Sequence, residues 1–199
     1  QQAMPAVFVV PQCSNRTKGW GGMASDVKRL LDYVVQQEAA DTTRIYIFGG
    51  SMGGTGTWKM LSLYPCYFAA AMPCAGNPKG MSAENVATTP VYTVMGLADK
   101  IMGSDVRTTL ETFITQLESL GDEVRYETVA GWTHEMTCIQ SYSAVRLGWV
   151  FSHKRGQTTG LTTSPINATD EGWYDLSGRR FAAPPSHGVY IHKGKKVVF

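Results

Sequence analysis

The sequence is poor in charge, in cysteine and in long apolar runs. Only 17% of its 199 residues are charged and 43% are hydrophobic, the balance of a globular protein. No apolar run approaches the roughly 20 residues that would span a bilayer as a helix. The four cysteines, Cys13, Cys66, Cys74 and Cys138, include no C-x-x-C pair, and no histidine is suitably near Cys66 or Cys74. Such spacings do not resemble a metal site. The even number leaves disulfides or buried free thiols open, and no cysteine sits in a turn suited to a nucleophile. The net charge of +2 is uneven. From Lys154 onward seven Lys or Arg face three acids, a local +4 that leaves the preceding residues at −2. A nucleic-acid partner would need a basic face on the body, and this distribution opposes it.

Against those absences one stretch stands out. Residues 45–48 are β-prone and run into Gly49-Gly50-Ser51-Met52-Gly53-Gly54, with a helix-compatible segment at 55–64. A strand, a sharp turn and a helix with serine at the apex hold a nucleophilic hydroxyl exposed on strained backbone. Gly49, Ser51 and Gly53 fit G-x-S-x-G, and Gly50 and Gly54 extend the pattern. These glycines are expected to be obligatory, because a Cβ would strike the adjoining strand or helix. An ordinary glycine-rich turn has the same pattern, so an acid and a histidine must be found downstream.

The rest of the chain alternates strand and helix. Residues 7–10 are a continuous apolar run closed by Pro11, which predicts a buried strand; the chain is therefore expected to begin inside a domain. Residues 12–22 form a loop in which Trp20 either walls a pocket or covers the core edge. Over residues 25–38, Val27, Leu30, Leu31, Val34 and Val35 make one helical stripe. Strands are predicted at 68–73, 91–95 and 124–129. A helix capped by Ser104 and closed by Gly121 lies between the last two, and a final helix covers 139–153. This order predicts a parallel sheet with helices on its faces. The polar, threonine-rich residues 156–169 read as a linker. Residues 170–199 read as a small β module, so the body is 1–155.

A serine hydroxyl is a weak nucleophile until a histidine accepts its proton, and that histidine needs an acid to fix its tautomer. Asp99 follows the strand at 91–95 and His134 follows the strand at 124–129. Ser51, Asp99 and His134 thus fall in order at the carboxyl ends of three strands. His153 at a helix end, His187 and His192 in the tail, and Asp105 and Asp122 at helix ends are weaker competitors. The backbone N–H of Met52 is the expected oxyanion donor. A second donor should come from the loop after an earlier strand, and no such loop is found here; Gln12 is a poor substitute. Gln12, Trp20 and Trp132 are the substrate-binding candidates. This chemistry calls for no cofactor and no metal.

These residues resemble the α/β-hydrolase superfamily, and within it the secreted esterases and predicted peptidases related to feruloyl esterases and polyhydroxybutyrate depolymerases. The likeness is carried by Val9-Val10-Pro11-Gln12-Cys13, Arg44-Ile45-Tyr46, Gly50-Ser51-Met52-Gly53-Gly54, Tyr64-Pro65, Phe68-Ala69-Ala70, Gly96 with Asp99, and Gly131 with His134. It implies a three-layer α/β sandwich and a serine carboxylesterase working through an acyl-enzyme, with a feruloyl or acetyl ester of plant cell-wall polysaccharide as substrate. A serine peptidase with the same triad, or a truncated inactive surface-binding module, are the alternatives. Related domains carry further strands before residues 7–10, including the one whose loop completes the oxyanion hole. The resemblance therefore implies an N-terminally incomplete domain, with the strand at 7–10 either shifting beside the serine strand or leaving a gap. Tyr174-Asp175-Leu176-Ser177-Gly178-Arg179-Arg180 and Gly188-Val189-Tyr190-Ile191 resemble the sorting module of Bacteroidetes surface and secreted proteins. That likeness implies export by type IX secretion, with the secretion machinery as a partner. Otherwise the tail is a β appendage.

Overall fold

Four parallel strands lie side by side in sequence order: β1 (Tyr46–Gly50), β2 (Ala70–Cys74), β3 (Val91–Gly96) and β4 (Val124–Val129). The structure, a computed structural model, describes residues 6–156, 173–175, 180–181, 189–192 and 195–198. The connections run through α2 (Met52–Leu63), α3 (Ala83–Val86) and α4 (Gly103–Ser119). Before β1, a 3-10 turn at Gly21–Met23 leads into α1 (Ala24–Gln37). After β4 come α5 (His134–Gln140) and α6 (Ala144–Ser152). The chain divides into two compact units between residues 157 and 158.

Strand side chains alternate between faces, so each strand feeds two cores. On one face Ala71, Val91 and Met95 meet Trp58 and Leu61 of α2 and Leu110 and Leu117 of α4. On the other, Ala70, Met72, Tyr92 and Val94 meet Val150 of α6. The two middle strands are buried throughout, as strands covered on both faces should be.

The predicted strand at residues 7–10 is not formed. These residues are coil, and Phe8 and Val10 are 80% and 89% exposed. An apolar run becomes a strand only when a partner pairs with it and a layer covers it. Among the described residues β1 pairs with β2 alone, so the serine strand is an edge and is only half buried. The apolar stripe of α1 is affected too: Val27, Leu31, Val34 and Val35 are half buried and Leu30 is exposed.

Two helix boundaries also differ. The single helix expected over 139–153 is two helices, because Ser143 takes extended backbone and its hydroxyl accepts from the Arg146 amide, capping α6. Ser104 does not cap α4. The helix starts at Gly103, and the Asp99 carboxylate accepts from the Ile101 and Met102 amides just before it.

The end of α4 behaves as expected. Gly121 has φ +83°, its amide donates to the Glu118 carbonyl, and the Asp122 amide reaches the Leu117 carbonyl. This turn leaves Asp122 half buried, with one carboxylate oxygen that lacks a hydrogen-bond partner among the described residues. Burial, reinforced by the Glu123 charge, pushes its pKa up to about 7 from an ordinary 3.8. The unfolded chain releases this proton near its ordinary value while the folded chain keeps it until about pH 7. Stability is therefore fullest below the ordinary value and declines as pH rises through that window. Asp122→Asn is expected to stabilise the protein by about 1 kcal/mol near pH 8, after allowing for solvent screening, and by much less near pH 4. Urea melts of both proteins at the two pH values check this.

In the second unit β5 (Trp173–Asp175), β6 (Arg180–Phe181), β7 (Val189–His192) and β8 (Lys195–Val198) form an antiparallel sheet in the order β6-β5-β7-β8. Trp173 and His192 are register partners, and their rings stack at 4.1 Å. His187 and most of the expected linker lie outside the described residues.

Candidate active site

β1 ends at Gly50 and α2 begins at Met52, so Ser51 alone makes the turn between them. Its backbone sits at φ 55°, ψ −120°, a region costing a non-glycine residue about 1–3 kcal/mol. The turn is held from both sides: the Ser51 amide donates to the Cys74 carbonyl (3.1 Å), and the Thr55 amide to the Ser51 carbonyl (3.0 Å). Close packing explains most of the glycines. A Cβ on Gly49 would lie 2.2 Å from the Gly53 carbonyl oxygen, and one on Gly54 2.4 Å from the Cys74 oxygen. At Gly50 it would sit 3.2 Å from Cys138, tight but against a side chain. Gly53, expected to be sterically obligatory, is not: a Cβ there would have nothing within 4 Å.

The three polar residues meet in one chain of hydrogen bonds. Ser51 Oγ is 2.8 Å from His134 Nε2, and His134 Nδ1 is 2.7 Å from Asp99 Oδ2. With the carboxylate accepting, Nδ1 carries the proton and Nε2 is free to accept from the serine hydroxyl. The other Asp99 oxygen accepts from the amides of Ile101 and Met102, both at 2.9 Å. Asp99 is thus buried with both oxygens occupied. His134 is the first residue of α5, whose cap is the Thr133 hydroxyl accepting from Met136 N. The loops are tied together as well, since the Ala98 amide donates to the Trp132 carbonyl (3.0 Å).

The remaining candidates separate. Met52 opens α2, where a first-turn N–H has no partner within the helix. Trp20 packs its Cβ where a methyl on Gly56 would lie, at 2.4 Å, which places it on the flank of α2. Trp132 is half buried against the core on the α6 side, beneath the Arg146 guanidinium. Gln12 is exposed in the leading coil. His153 lies at the opposite end of the sheet, where its carbonyl accepts from the hydroxyl of Tyr46 at the start of β1. His192 belongs to the other unit. Among the described residues no group of His, Cys, Asp or Glu could hold a metal ion, and no helix is long and apolar enough to cross a membrane.

One neighbour went unnoticed in the sequence. Cys138, four residues after His134 and so on the same helix face, has its sulfur 3.9 Å from Nε2. Burial, and then the Asp99 charge, push its thiol above the ordinary range. All four cysteines are free thiols, Cys66 being exposed. A thiol held protonated reacts slowly. Iodoacetamide is therefore expected to modify Cys66 well before Cys138 near neutral pH, with the lag shrinking as pH rises, as peptide mapping would reveal. A carboxamidomethyl group on Cys138 would crowd the imidazole.

A model of the Prolyl oligopeptidase family matches residues 14–96. A solved thermostable esterase superposes with a TM-score of 0.60 at 26% identity, over 66% of this chain and 36% of its own. The chain has the α/β-hydrolase fold. Among curated proteins it is similar to Acetylxylan esterase A of Aspergillus awamori, 24% identical over 188 residues, covering 90% of this chain and 60% of that one. It is also similar to Feruloyl esterase B of Thermothelomyces thermophilus, 31% identical over 74 residues, covering 37% and 25%. The chain therefore spans 60% or less of the length of these relatives. Among the described residues the α/β-hydrolase sheet has four strands, with the serine strand at its edge.

Proposed function

We propose that this α/β-hydrolase chain carries the catalytic centre of a serine carboxylic ester hydrolase. The observation behind this is the continuous hydrogen-bonded line from Ser51 Oγ through His134 to Asp99. His134 Nε2 takes the hydroxyl proton as Ser51 attacks the ester carbonyl, and Asp99 stabilises the imidazolium. The oxyanion forms beside the Met52 N–H. His134 then protonates the departing alcohol, leaving an acyl-serine that water, activated by the same imidazole, hydrolyses. The reaction needs no cofactor.

An acetyl or feruloyl ester on plant cell-wall polysaccharide is the proposed substrate, in keeping with the names of the relatives. A peptidase is the second reading, favoured by the family model that matches residues 14–96. Hydrolysis of acetylated xylan or methyl ferulate without cleavage of peptide anilides supports the esterase; the reverse pattern overturns it. A binding module without catalysis is the third. Fluorophosphonate labelling at Ser51 argues against that, and an unlabelled protein would favour it. The second unit is proposed as the module that directs the chain to the cell surface or exterior, on the sequence likeness of residues 173–199. Its removal is expected to retain the protein in the cells of its host.

A further inference from the structure

We infer that Arg146 is a positioning residue for His134, holding α5 so that the imidazole stays within reach of Ser51. This rests on the proposed role of His134 as the base. The difficulty it answers is local. α5 has seven residues, too few for a helix to persist by itself in water, and only Thr137 of them is buried. His134 is its first residue, so any drift of α5 moves the base directly. A misplacement of about 1 Å in such a constellation can cost about 10²-fold in rate.

One guanidinium grips the segment at both ends. Arg146 Nη1 donates to the carbonyls of Gln140 (3.4 Å) and Ser141 (3.3 Å), where α5 stops. A cation there also complements the helix dipole. The same group lies 5.5 Å from the ring centroid of Trp132, two residues before His134. Its own position is set by β4: Nε and Nη2 reach Glu127 Oε2 at 3.0 and 2.6 Å, and the Tyr92 hydroxyl donates to the other Glu127 oxygen. The Arg146 side chain is only 15% exposed, whereas that of Glu127 is 40% exposed, so the guanidinium is the sheltered partner of the pair. The hold extends to the acid, because the Trp132 carbonyl accepts from Ala98, next to Asp99. A Cβ on Gly96 would lie 2.3 Å from that carbonyl, so the loop comes this close to β3 only because residue 96 has no side chain. Lysine could not reproduce the arrangement, having no planar fork to share between a carboxylate, two carbonyls and a ring face.

The test compares wild type with Arg146→Ala, Arg146→Lys and Glu127→Gln, each well below its thermal midpoint. Arg146→Ala is expected to label at Ser51 with fluorophosphonate about 10²-fold more slowly. Its KM for an aryl acetate should stay near wild type while kcat falls. Millimolar guanidinium should restore part of the rate, and lysine should restore little. Glu127→Gln keeps Arg146 but weakens its anchor, so an intermediate rate is expected. Amide exchange across residues 134–141 should quicken in Arg146→Ala but not in the distant sheet. Wild-type labelling and exchange in the variants, or a rate loss that tracks only the unfolded fraction, would overturn the inference. An unlabelled wild type would remove the catalytic reading beneath it, and the exchange measurement would still decide whether Arg146 holds α5.

Discussion

Ser51→Ala is expected to lower ester hydrolysis by about 10⁶-fold and to abolish fluorophosphonate labelling. His134→Ala should cost about as much and Asp99→Ala about 10⁴-fold, by analogy with triads in which the members act as a unit. The double variant Ser51→Ala/His134→Ala should lose little more than either single one. Such non-additivity follows if the 2.8 Å and 2.7 Å contacts form one proton path. Initial rates on an aryl acetate check it, and a Ser51→Ala protein that kept most of its activity would sink the proposed function. Ser51→Gly separates chemistry from strain. It removes the hydroxyl and also relieves a backbone at φ 55°, so it should be as inactive as the alanine variant yet more stable by about 1 kcal/mol.

The largest effect on stability is expected at Gly49. An alanine methyl there would meet the backbone of Gly53 at 2.2 Å, and neither β1 nor α2 can retreat without losing its packing. Gly49→Ala should cost about 3 kcal/mol or more, and Gly54→Ala, aimed at the Cys74 carbonyl, should be comparable. Gly53→Ala is the internal control. Its methyl enters open space in the first turn of a helix, where alanine is the better former by about 1 kcal/mol. Denaturant midpoints should therefore drop sharply for the first two and hold or rise for the third. Equal losses at all three positions would contradict the packing described for this turn.

Much of the fold was legible because it depends on neighbours in the chain. The apolar runs of β2 and β3, the glycine-flanked serine and the Gly121 helix stop each carry their cause within a few residues. Asp99 and His134 stood out because each follows its own strand, and parallel strands bring their carboxyl ends to one edge. Residues 7–10 misled because the same apolar pattern is compatible with a strand or an exposed coil, and only a pairing partner decides between them. The break between α5 and α6 turned on Ser143 capping instead of continuing a helix, a choice that hydroxyl residues leave to context.

The site divides along the same line. From the sequence alone came the three residues proposed as nucleophile, base and acid, their order, and the strand–turn–helix that carries Ser51. Short-range sterics and the turn chemistry of glycine suffice for that. The tertiary structure decided which groups surround them: the Cys138 sulfur against the imidazole, the Trp132 carbonyl joining the two loops, and Arg146 spanning from Glu127 to both ends of α5. It also decided that Trp20 packs on α2 and that a methyl at Gly53 would meet open space. Apart from Cys138, one helical turn from His134, these contacts join different elements of the fold. Their distances depend on how helices settle on a sheet, which no local pattern encodes.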